Sequence, residues 1–334
     1  MGFYCDSCKK NKKEEDVQKQ NRNLSSNTES KSKITPDNVN STNNANNFNG
    51  YKCINEIQGH QEKIACVIML SSGKVASGSY DCTIKIWDID TSECITTINE
   101  NGNVFCLLEF ENNMLLSGTS SNTIQLWDIS SFRAQNLFSF EGHLLWVNCL
   151  VKCSNKIFAS CSNDHDIRIW NYYERKGINI LTGHTDCVLA LISLKDGRLC
   201  SGSADLTIRI WNWELNSCDM ILKGHSKWVK CLCELNNGYI ASGSDDKLIK
   251  IWFNSECLIN LSDHSKSVRT ICQLSDGNLA SGSFDRTIKI WDVNSFSCIE
   301  TINAHNGNII TIINFKDGFI SCSNDRTIKV WKKG

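Results

Sequence analysis

Residues 59–88 of the chain read GHQEKIACVIMLSSGKVASGSYDCTIKIWD, and this stretch carries the signals that decide the fold. It opens with Gly-His, passes through Ser-Gly-Ser at 77–79 and ends in the alternating run Thr-Ile-Lys-Ile-Trp at 83–87. Alternation of apolar β-branched residues with polar ones predicts a half-buried strand. The Asp after Ser-Gly-Ser is a typical turn residue. The stretch therefore predicts short strands joined by turns.

The same frame returns about every 40 residues along the chain. Its last residue, Trp, occurs at positions 87, 127, 170, 211, 252, 291 and 331. Each unit holds four short strands, the last around a Cys-Ile or similar run before the next Gly-His. A four-stranded unit of this size cannot bury both of its faces alone, so neighbouring units must stack. Seven such units predict an all-β, seven-bladed β-propeller.

The frame from Gly-His to Trp-Asp resembles the WD-repeat (Trp-Asp, G-beta-like) family of β-propellers, and the resemblance extends over residues 51–334. The seventh repeat lacks an outer strand of its own, whereas residues 51–57 match the outer strands of other repeats. We therefore expect 51–57 to pair with the last repeat and close the ring, which removes an open sheet edge.

Residues 1–50 differ in kind from the repeats. They hold 11 Asn, and the stretch 25–50 is rich in Asn, Ser and Thr with no periodic apolar pattern. Such a segment buries too little apolar surface to offset the entropy of ordering it, so we expect a disordered Asn-rich tail at 1–50 before the propeller at 51–334. Cys5 and Cys8 have the spacing of a zinc half-site, but no second pair follows nearby.

Charge and cysteine content narrow the function classes. Lys and Arg number 35 against 36 Asp and Glu, a near balance that argues against bulk binding to nucleic acid or an anionic membrane. No apolar run approaches the ~20 residues that span a bilayer. We expect a cytoplasmic protein, with a nuclear location as an alternative suggested by the basic run at 9–13.

The cysteines follow the repeat, which indicates a packing role. With no secretory signal we expect them to be unpaired, and repetition at one strand position predicts small buried apolar side chains. No set of four ligands is visible in the sequence, so neither a metal site nor a cofactor is predicted. The repeated positions are Cys66, Cys106, Cys149 and Cys231 on the inner strand and Cys53, Cys94, Cys218, Cys257 and Cys298 on the outer strand.

His, Ser and Asp recur at fixed spacing, which raises the question of a catalytic triad. A nucleophilic site needs one such set beside an oxyanion hole, whereas six sets around a ring favour a structural role, and we expect no enzyme activity. The family resemblance implies a network in which Asp holds His, His holds Ser, and Ser meets the indole N–H of Trp. In the second repeat, Glu100 and Ser121 replace the His and Asp, so this network cannot form there, and that blade either packs differently or is weaker. The network positions are His60, Ser77, Asp81, Trp87; His143, Ser160, Asp164, Trp170; His184, Ser201, Asp205, Trp211; His225, Ser242, Asp246, Trp252; His264, Ser281, Asp285, Trp291; and His305, Ser321, Asp325, Trp331.

Antiparallel connectivity places the His loops and the Asp turns on one face of the predicted ring. Residues three and five beyond each His, and the residue before each Asp, should project onto this face around the channel. Exposed aromatic and cationic side chains are typical of binding hot spots, so we predict that this face binds partners. The resemblance adds that WD-repeat proteins use equivalent positions to bind peptides. The candidate partner-binding residues are Lys63, Tyr80, Phe105, Trp146, Trp228, Lys230, Arg269 and Phe284.

Several functions are compatible with such a face. The favoured hypothesis is a non-enzymatic scaffold that binds proteins or peptides, with no nucleic acid, membrane or small-molecule substrate as partner. The alternative is an adaptor of a ubiquitin ligase or another complex that recognises a phosphorylated or acidic segment, although Lys63, Lys230 and Arg269 form a thin cationic cluster for that purpose. An enzyme, a G-protein-β-like subunit with an N-terminal coiled coil, and an RNA-associated protein find less support.

Overall fold

A computed structural model describes residues 50–334, and all their regular secondary structure is β-strand. The strands form seven four-stranded antiparallel sheets, which are the seven blades of a propeller. In the described part, no helix is long and apolar enough to cross a bilayer. The disordered tail and the half-site of Cys5 and Cys8 were predicted for residues that lie outside this described part.

Six blades each use four consecutive strands, with the first strand of the four innermost. The first strand of the chain is not part of blade 1, because it belongs to the sheet of the last blade. The bounds for blades 1 to 3 are β2 Ile64–Met69, β3 Val75–Ser79, β4 Thr83–Trp87, β5 Cys94–Asn99; β6 Val104–Glu111, β7 Met114–Thr119, β8 Ile124–Asp128, β9 Gln135–Phe140; and β10 Val147–Lys152, β11 Ile157–Ser162, β12 Ile167–Asn171, β13 Lys176–Leu181. The bounds for blades 4 to 6 are β14 Val188–Ser193, β15 Leu199–Ser203, β16 Thr207–Asn212, β17 Ser217–Lys223; β18 Val229–Glu234, β19 Ile240–Ser244, β20 Ile249–Phe253, β21 Glu256–Leu261; and β22 Val268–Gln273, β23 Leu279–Ser283, β24 Thr287–Trp291, β25 Cys298–Asn303.

Blade 7 joins the two ends of the described chain. It consists of β26 Ile309–Phe315, β27 Gly318–Ser323, β28 Thr327–Lys333 and, as its outer strand, β1 Tyr51–Gln58. The β1 strand pairs antiparallel with β28, with Ile57 opposite Ile328. On the inner side, β26 lies against β2 of blade 1. The predicted fold class and closure of the ring by residues 51–57 are therefore confirmed.

The hydrophobic core lies between the blades. The strands that carry Ser-Gly-Ser are buried along their whole length, and Trp87 of blade 1 packs in one cluster with Ile320 and Ile328 of blade 7. Glycine is required where the next blade approaches most closely: a Cβ on Gly243 would lie 2.7 Å from a methyl of Val268. Each repeat is therefore shaped to receive the inner strand of its neighbour.

The structure confirms burial for most inner-strand cysteines but not for the outer-strand set. Cys66, Cys106 and Cys231 are buried, and Cys149 is half-buried. On the outer strands the prediction of burial is wrong, because these strands form the rim of the ring and few of their residues are buried. Four outer cysteines, Cys53, Cys94, Cys218 and Cys257, are exposed, and Cys298 is half-buried.

Candidate functional site

The loops before the inner strands and the turns between the second and third strands share one face, here called the top face. In six blades a hydrogen-bonded network lies beneath it. The His Nδ1 atoms lie 2.7–3.1 Å from an Asp Oδ2 atom. The His Nε2 atoms lie 2.7–2.8 Å from a Ser Oγ atom. The Trp Nε1–H groups donate to the same Ser Oγ atoms over 2.7–2.8 Å.

Hydrogen-bond chemistry fixes the direction of each network. An indole N–H can only donate, so the Ser hydroxyl accepts from Trp and gives its own hydrogen to His Nε2. The imidazole then carries its hydrogen on Nδ1 and donates to the carboxylate. All six Ser side chains are fully buried, at 0% exposure, so none can meet a substrate. The repeated His, Ser and Asp therefore form a structural chain that ties the top loop to the Trp strand.

The pKa values indicate the protonation states of the Asp and His side chains in these networks. Burial alone would raise the pKa of Asp81, but hydrogen bonds from Thr83, the backbone of Gln61 and His60 lower it to about 2. Burial also lowers the pKa of His60 and of His184, against the pull of their Asp partners. These two histidines are therefore neutral in the folded protein at neutral pH.

Blade 2 replaces the network by a shorter one, so it packs differently from the others. One carboxylate oxygen of Glu100 accepts hydrogen bonds from the Ser117 hydroxyl and, over 2.8 Å, from the Trp127 indole. Trp127 also lies 3.1 Å from Ser117 Oγ. Burial raises the pKa of Glu100, although these two hydrogen bonds oppose the shift. The carboxylate reaches both partners without a His between them.

Three of the predicted partner-binding residues form a continuous aromatic row on the top face. The rings of Tyr80 and Phe105 meet edge to face with centroids 5.5 Å apart, and Phe105 lies 5.3 Å from Trp146. The row therefore spans blades 1, 2 and 3. Tyr80 and Trp146 are 40% and 41% exposed, whereas Phe105 between them is half-buried.

Three other predicted residues, Trp228, Lys230 and Arg269, form a second group on the top face. The Lys230 ammonium lies 4.4 Å from the centre of the Trp228 ring and 3.7 Å from Asp245. Arg269 donates to the Lys230 carbonyl over 3.1 Å. Burial and the Arg269 charge lower the pKa of Lys230 to about 8. These two cations are therefore half-buried and already engaged.

The last two predicted residues lie apart from this group. The Lys63 ammonium lies 5.9 Å from the Tyr80 ring centre, so it borders the aromatic row. Phe284 is half-buried, and its backbone N–H donates to Ser267 O over 2.9 Å.

Sequence reasoning missed two exposed apolar residues that adjoin the aromatic row in the chain. Leu144 and Leu145 are 75% and 43% exposed and directly precede Trp146. A signal was present in the sequence, because the two residues after the network His, or after Glu100 in the second repeat, are polar or glycine in the other six repeats. Only this repeat has an apolar pair at the position. Because the other six blades pack without one, the pair is not needed for packing.

A second cluster was also missed. His165, Asp186 and Cys187 bring one nitrogen, one oxygen and one sulfur atom within 4.8 Å of one another. His165 belongs to the Asp turn of blade 3, and the other two belong to the top loop of blade 4. The prediction of no metal site rested on ligand spacing along the sequence, which two separate loops do not reveal.

Comparison with known proteins agrees with this architecture. The model of the "WD domain, G-beta repeat" family matches seven times, at residues 51–88, 92–128, 134–171, 175–212, 216–252, 255–292 and 296–332. The chain belongs to the WD-repeat family. Members of this WD-repeat family are typically non-catalytic scaffolds for protein interaction.

Similar proteins share the repeat and differ in the roles that their names state. The chain is 25% identical over 137 residues to the DENN domain and WD repeat-containing protein SCD1 of Arabidopsis thaliana, covering 41% of this chain and 11% of that protein. It is 31% identical over 138 residues to a ribosome biogenesis protein WDR12 homolog of Drosophila persimilis, covering 40% and 33%. A 48% identity over 42 residues links it to a probable E3 ubiquitin ligase complex SCF subunit, scon-2, of Neurospora crassa, covering 13% and 6%.

These matches span a third or less of each curated relative. Among solved structures, the WD40 β-propeller domain of Doa1 superposes with a TM-score of 0.78 at 23% identity, covering 86% of this chain and 98% of that one. This likeness shows the seven-bladed fold.

Proposed function

We propose that this WD-repeat protein is a non-enzymatic interaction scaffold that binds an apolar segment of a partner protein across the aromatic row of its top face. The observation that carries the proposal is the surface formed by Tyr80, Phe105, Trp146, Leu144 and Leu145. Contiguous exposed apolar side chains on a soluble domain mark interaction sites, and aromatic anchors supply most of the energy at such sites.

The geometry suits an extended segment rather than a small molecule. The row runs over three neighbouring blades, so its partner must reach from one blade to the next. The backbone of two anchors is held by hydrogen bonds: the Tyr80 N–H donates to Lys63 O over 2.9 Å, and the Asn163 N–H donates to Trp146 O over 3.0 Å. Rigid anchors reduce the ordering cost that binding must overcome.

The alternative, an adaptor that recognises a phosphorylated or acidic segment, finds less support in the contacts. Such recognition uses cations whose hydrogen-bond donors are available to the partner. Lys230 lies within 4.0 Å of a carboxylate, and one Arg269 nitrogen bonds to the backbone. The similarity to the Neurospora SCF subunit covers 42 residues, about one repeat, and so supports the repeat rather than the role.

Affinity purification with quantitative mass spectrometry tests the proposal. The test protein carries Leu144→Ser, Leu145→Ser and Trp146→Ala, and the control carries Leu215→Ser. Leu215 is a matched control because it is also 75% exposed but lies in the loop between β16 and β17, on the opposite face. Both proteins must melt like the wild type before their partners are compared.

We expect the triple variant to lose partners that both the wild type and the control retain. A partner that is lost from the triple variant and kept by the control should bind the purified wild-type propeller directly, with a Kd at least tenfold lower than for the triple variant. If both variants keep every wild-type partner, the aromatic row is not the binding site and the proposal fails.

A further inference from the structure

The chain has seven histidines, and six of them are engaged in the blade networks. The seventh, His165, lies in the turn between β11 and β12 with a φ of 76°, in the left-handed region. The residue at the same place in each other blade has the same backbone conformation, so the turn does not depend on histidine. The equivalent residues are Cys82, Asn122, Leu206, Lys247, Arg286 and Arg326.

The backbone carbonyls of the other two members of the cluster both accept hydrogen bonds. The Ser203 hydroxyl donates to Asp186 O over 3.0 Å, and Ala204 N–H donates to Cys187 O over 2.9 Å. The Cys187 thiol lies 3.6 Å from the Asn163 carbonyl oxygen, on the blade 3 side. The thiol and the carboxylate therefore sit on a fixed loop that faces the turn bearing His165.

We propose that His165, Asp186 and Cys187 form a zinc site at the junction of blades 3 and 4. Thiolate sulfur, imidazole nitrogen and carboxylate oxygen are the ligand types that Zn²⁺ takes, and their mixture of soft and hard donors suits this borderline ion. A tetrahedral ion with bonds of about 2.0–2.3 Å holds its ligands about 3.3–3.8 Å apart. The three atoms lie within 4.8 Å of one another, so side-chain rotations that move these atoms by about 1 Å bring them to that spacing.

Three protein ligands leave a fourth position, which a water molecule fills. Metal sites of this kind, with three protein ligands and a water, are well established in zinc proteins. The ion would join blades 3 and 4 at their top edges. Along the chain these two blades are linked only through the β13 strand and its loops.

The seven-fold repeat provides an internal comparison for this site. In each blade the backbone carbonyl equivalent to that of Cys187 accepts the same turn hydrogen bond, which aligns the positions without ambiguity. Among the blade junctions of residues 50–334, a thiol faces a histidine at this one alone. The nearest counterpart is Cys82, whose Sγ lies 3.6 Å from the Asn103 side-chain oxygen. The residues equivalent to Cys187 are Lys63, Asn103, Trp146, Trp228, Ser267 and Asn308.

Cobalt spectroscopy on the full chain tests the proposal. The protein is reduced, freed of metal with a chelator under inert gas, and titrated first with Co²⁺ and then with Zn²⁺. All proteins carry Cys5→Ser and Cys8→Ser, so that the C-x-x-C pair of residues 5–8 cannot supply the signal. We expect one Co²⁺ per chain, a thiolate-to-cobalt charge-transfer band and its loss when Zn²⁺ displaces the cobalt.

Three variants decide the assignment. Cys187→Ser should abolish the charge-transfer band, and His165→Asn should weaken Zn²⁺ binding by at least about 100-fold, beyond the 10–100-fold typical of an outer-shell partner. Cys82→Ser is the matched control and should leave both unchanged. Melting curves of the metal-free proteins verify folding, and Zn²⁺ should raise the melting temperature only where the site is intact. Absence of the band, its survival in Cys187→Ser, or its loss in Cys82→Ser would overturn the proposal.

Discussion

The closing strand β1 offers a sharp test of what holds the ring together, because one strand carries both a buried and an exposed isoleucine. Ile57 is 2% exposed and packs with Ile64 and Val67 of blade 1 and with Ile328 of blade 7. Ile54, three residues earlier on β1, is 59% exposed. The substitutions Ile57→Ala and Ile54→Ala remove the same atoms from these two environments.

The magnitude follows from burial. Replacing Ile57 by Ala removes three carbon atoms from a buried site, which at about 0.8 kcal/mol each is roughly 2.4 kcal/mol of transfer free energy. The cavity left behind adds to this, so we expect a loss of about 3–4 kcal/mol in the free energy of unfolding, within the 2–5 kcal/mol typical of such changes. Ile54→Ala should cost less than about 0.5 kcal/mol, as for other surface substitutions.

Urea unfolding monitored by tryptophan fluorescence and by circular dichroism measures both values. Because every blade holds a Trp, fluorescence reports on the whole ring, and cooperative unfolding should give the same midpoint with both probes. If Ile57→Ala destabilises the protein no more than Ile54→Ala does, β1 does not close the ring as described.

Three further predictions concern closure, acid and blade 2. Deletion of residues 51–58 should lower the melting temperature sharply, since it removes the whole partner of β28; an unchanged melt contradicts the closure. Between pH 7 and pH 5 the free energy of unfolding should fall, because burial lowers the pKa of His60 and His184 and the unfolded chain therefore takes up protons there first. Carboxylates such as Asp81, with a pKa of about 2, should add a further loss only as pH falls from about 4 towards 2, and urea titrations that show constant stability from pH 7 to 5 would contradict this. Glu100→Ala should cost about 1–3 kcal/mol, because the buried Ser117 hydroxyl loses its acceptor and the Trp127 indole keeps only Ser117 Oγ, whereas Glu100→Gln keeps an acceptor oxygen and should cost less; equal losses in urea unfolding would refute this account.

The fold could be predicted from the sequence because its signals are local and repeated. Each strand shows its period within five to eight residues, and the Trp spacing sets the size of the blade. The closing strand could also be predicted, since residues 51–57 carry the pattern of an outer strand but come before the first repeat rather than at the end of one. The burial of the outer-strand cysteines could not, because it depends on how far blades separate at the rim.

The candidate site could be predicted only in part, for a similar reason. Position in the repeat placed Tyr80, Phe105 and Trp146 on one face, but their contact depends on side-chain packing between blades. The role of Glu100 depends on a distance, since one carboxylate oxygen must reach both Ser117 and Trp127. The cluster around His165 contains residues of two loops. These loops are close because the blades form a ring, and no sequence pattern within either loop reveals this.

The closing of the ring also brings the two ends of the propeller together. The backbone N–H of Gly334 donates to the carbonyl of Gly50 over 3.1 Å. A short linker could therefore join these ends, and new termini could be opened at an exposed turn such as that of Gly73. In such a circular permutant all four strands of blade 7 would follow one another directly in the chain. Anything attached to Gly334 would likewise leave the propeller beside Gly50.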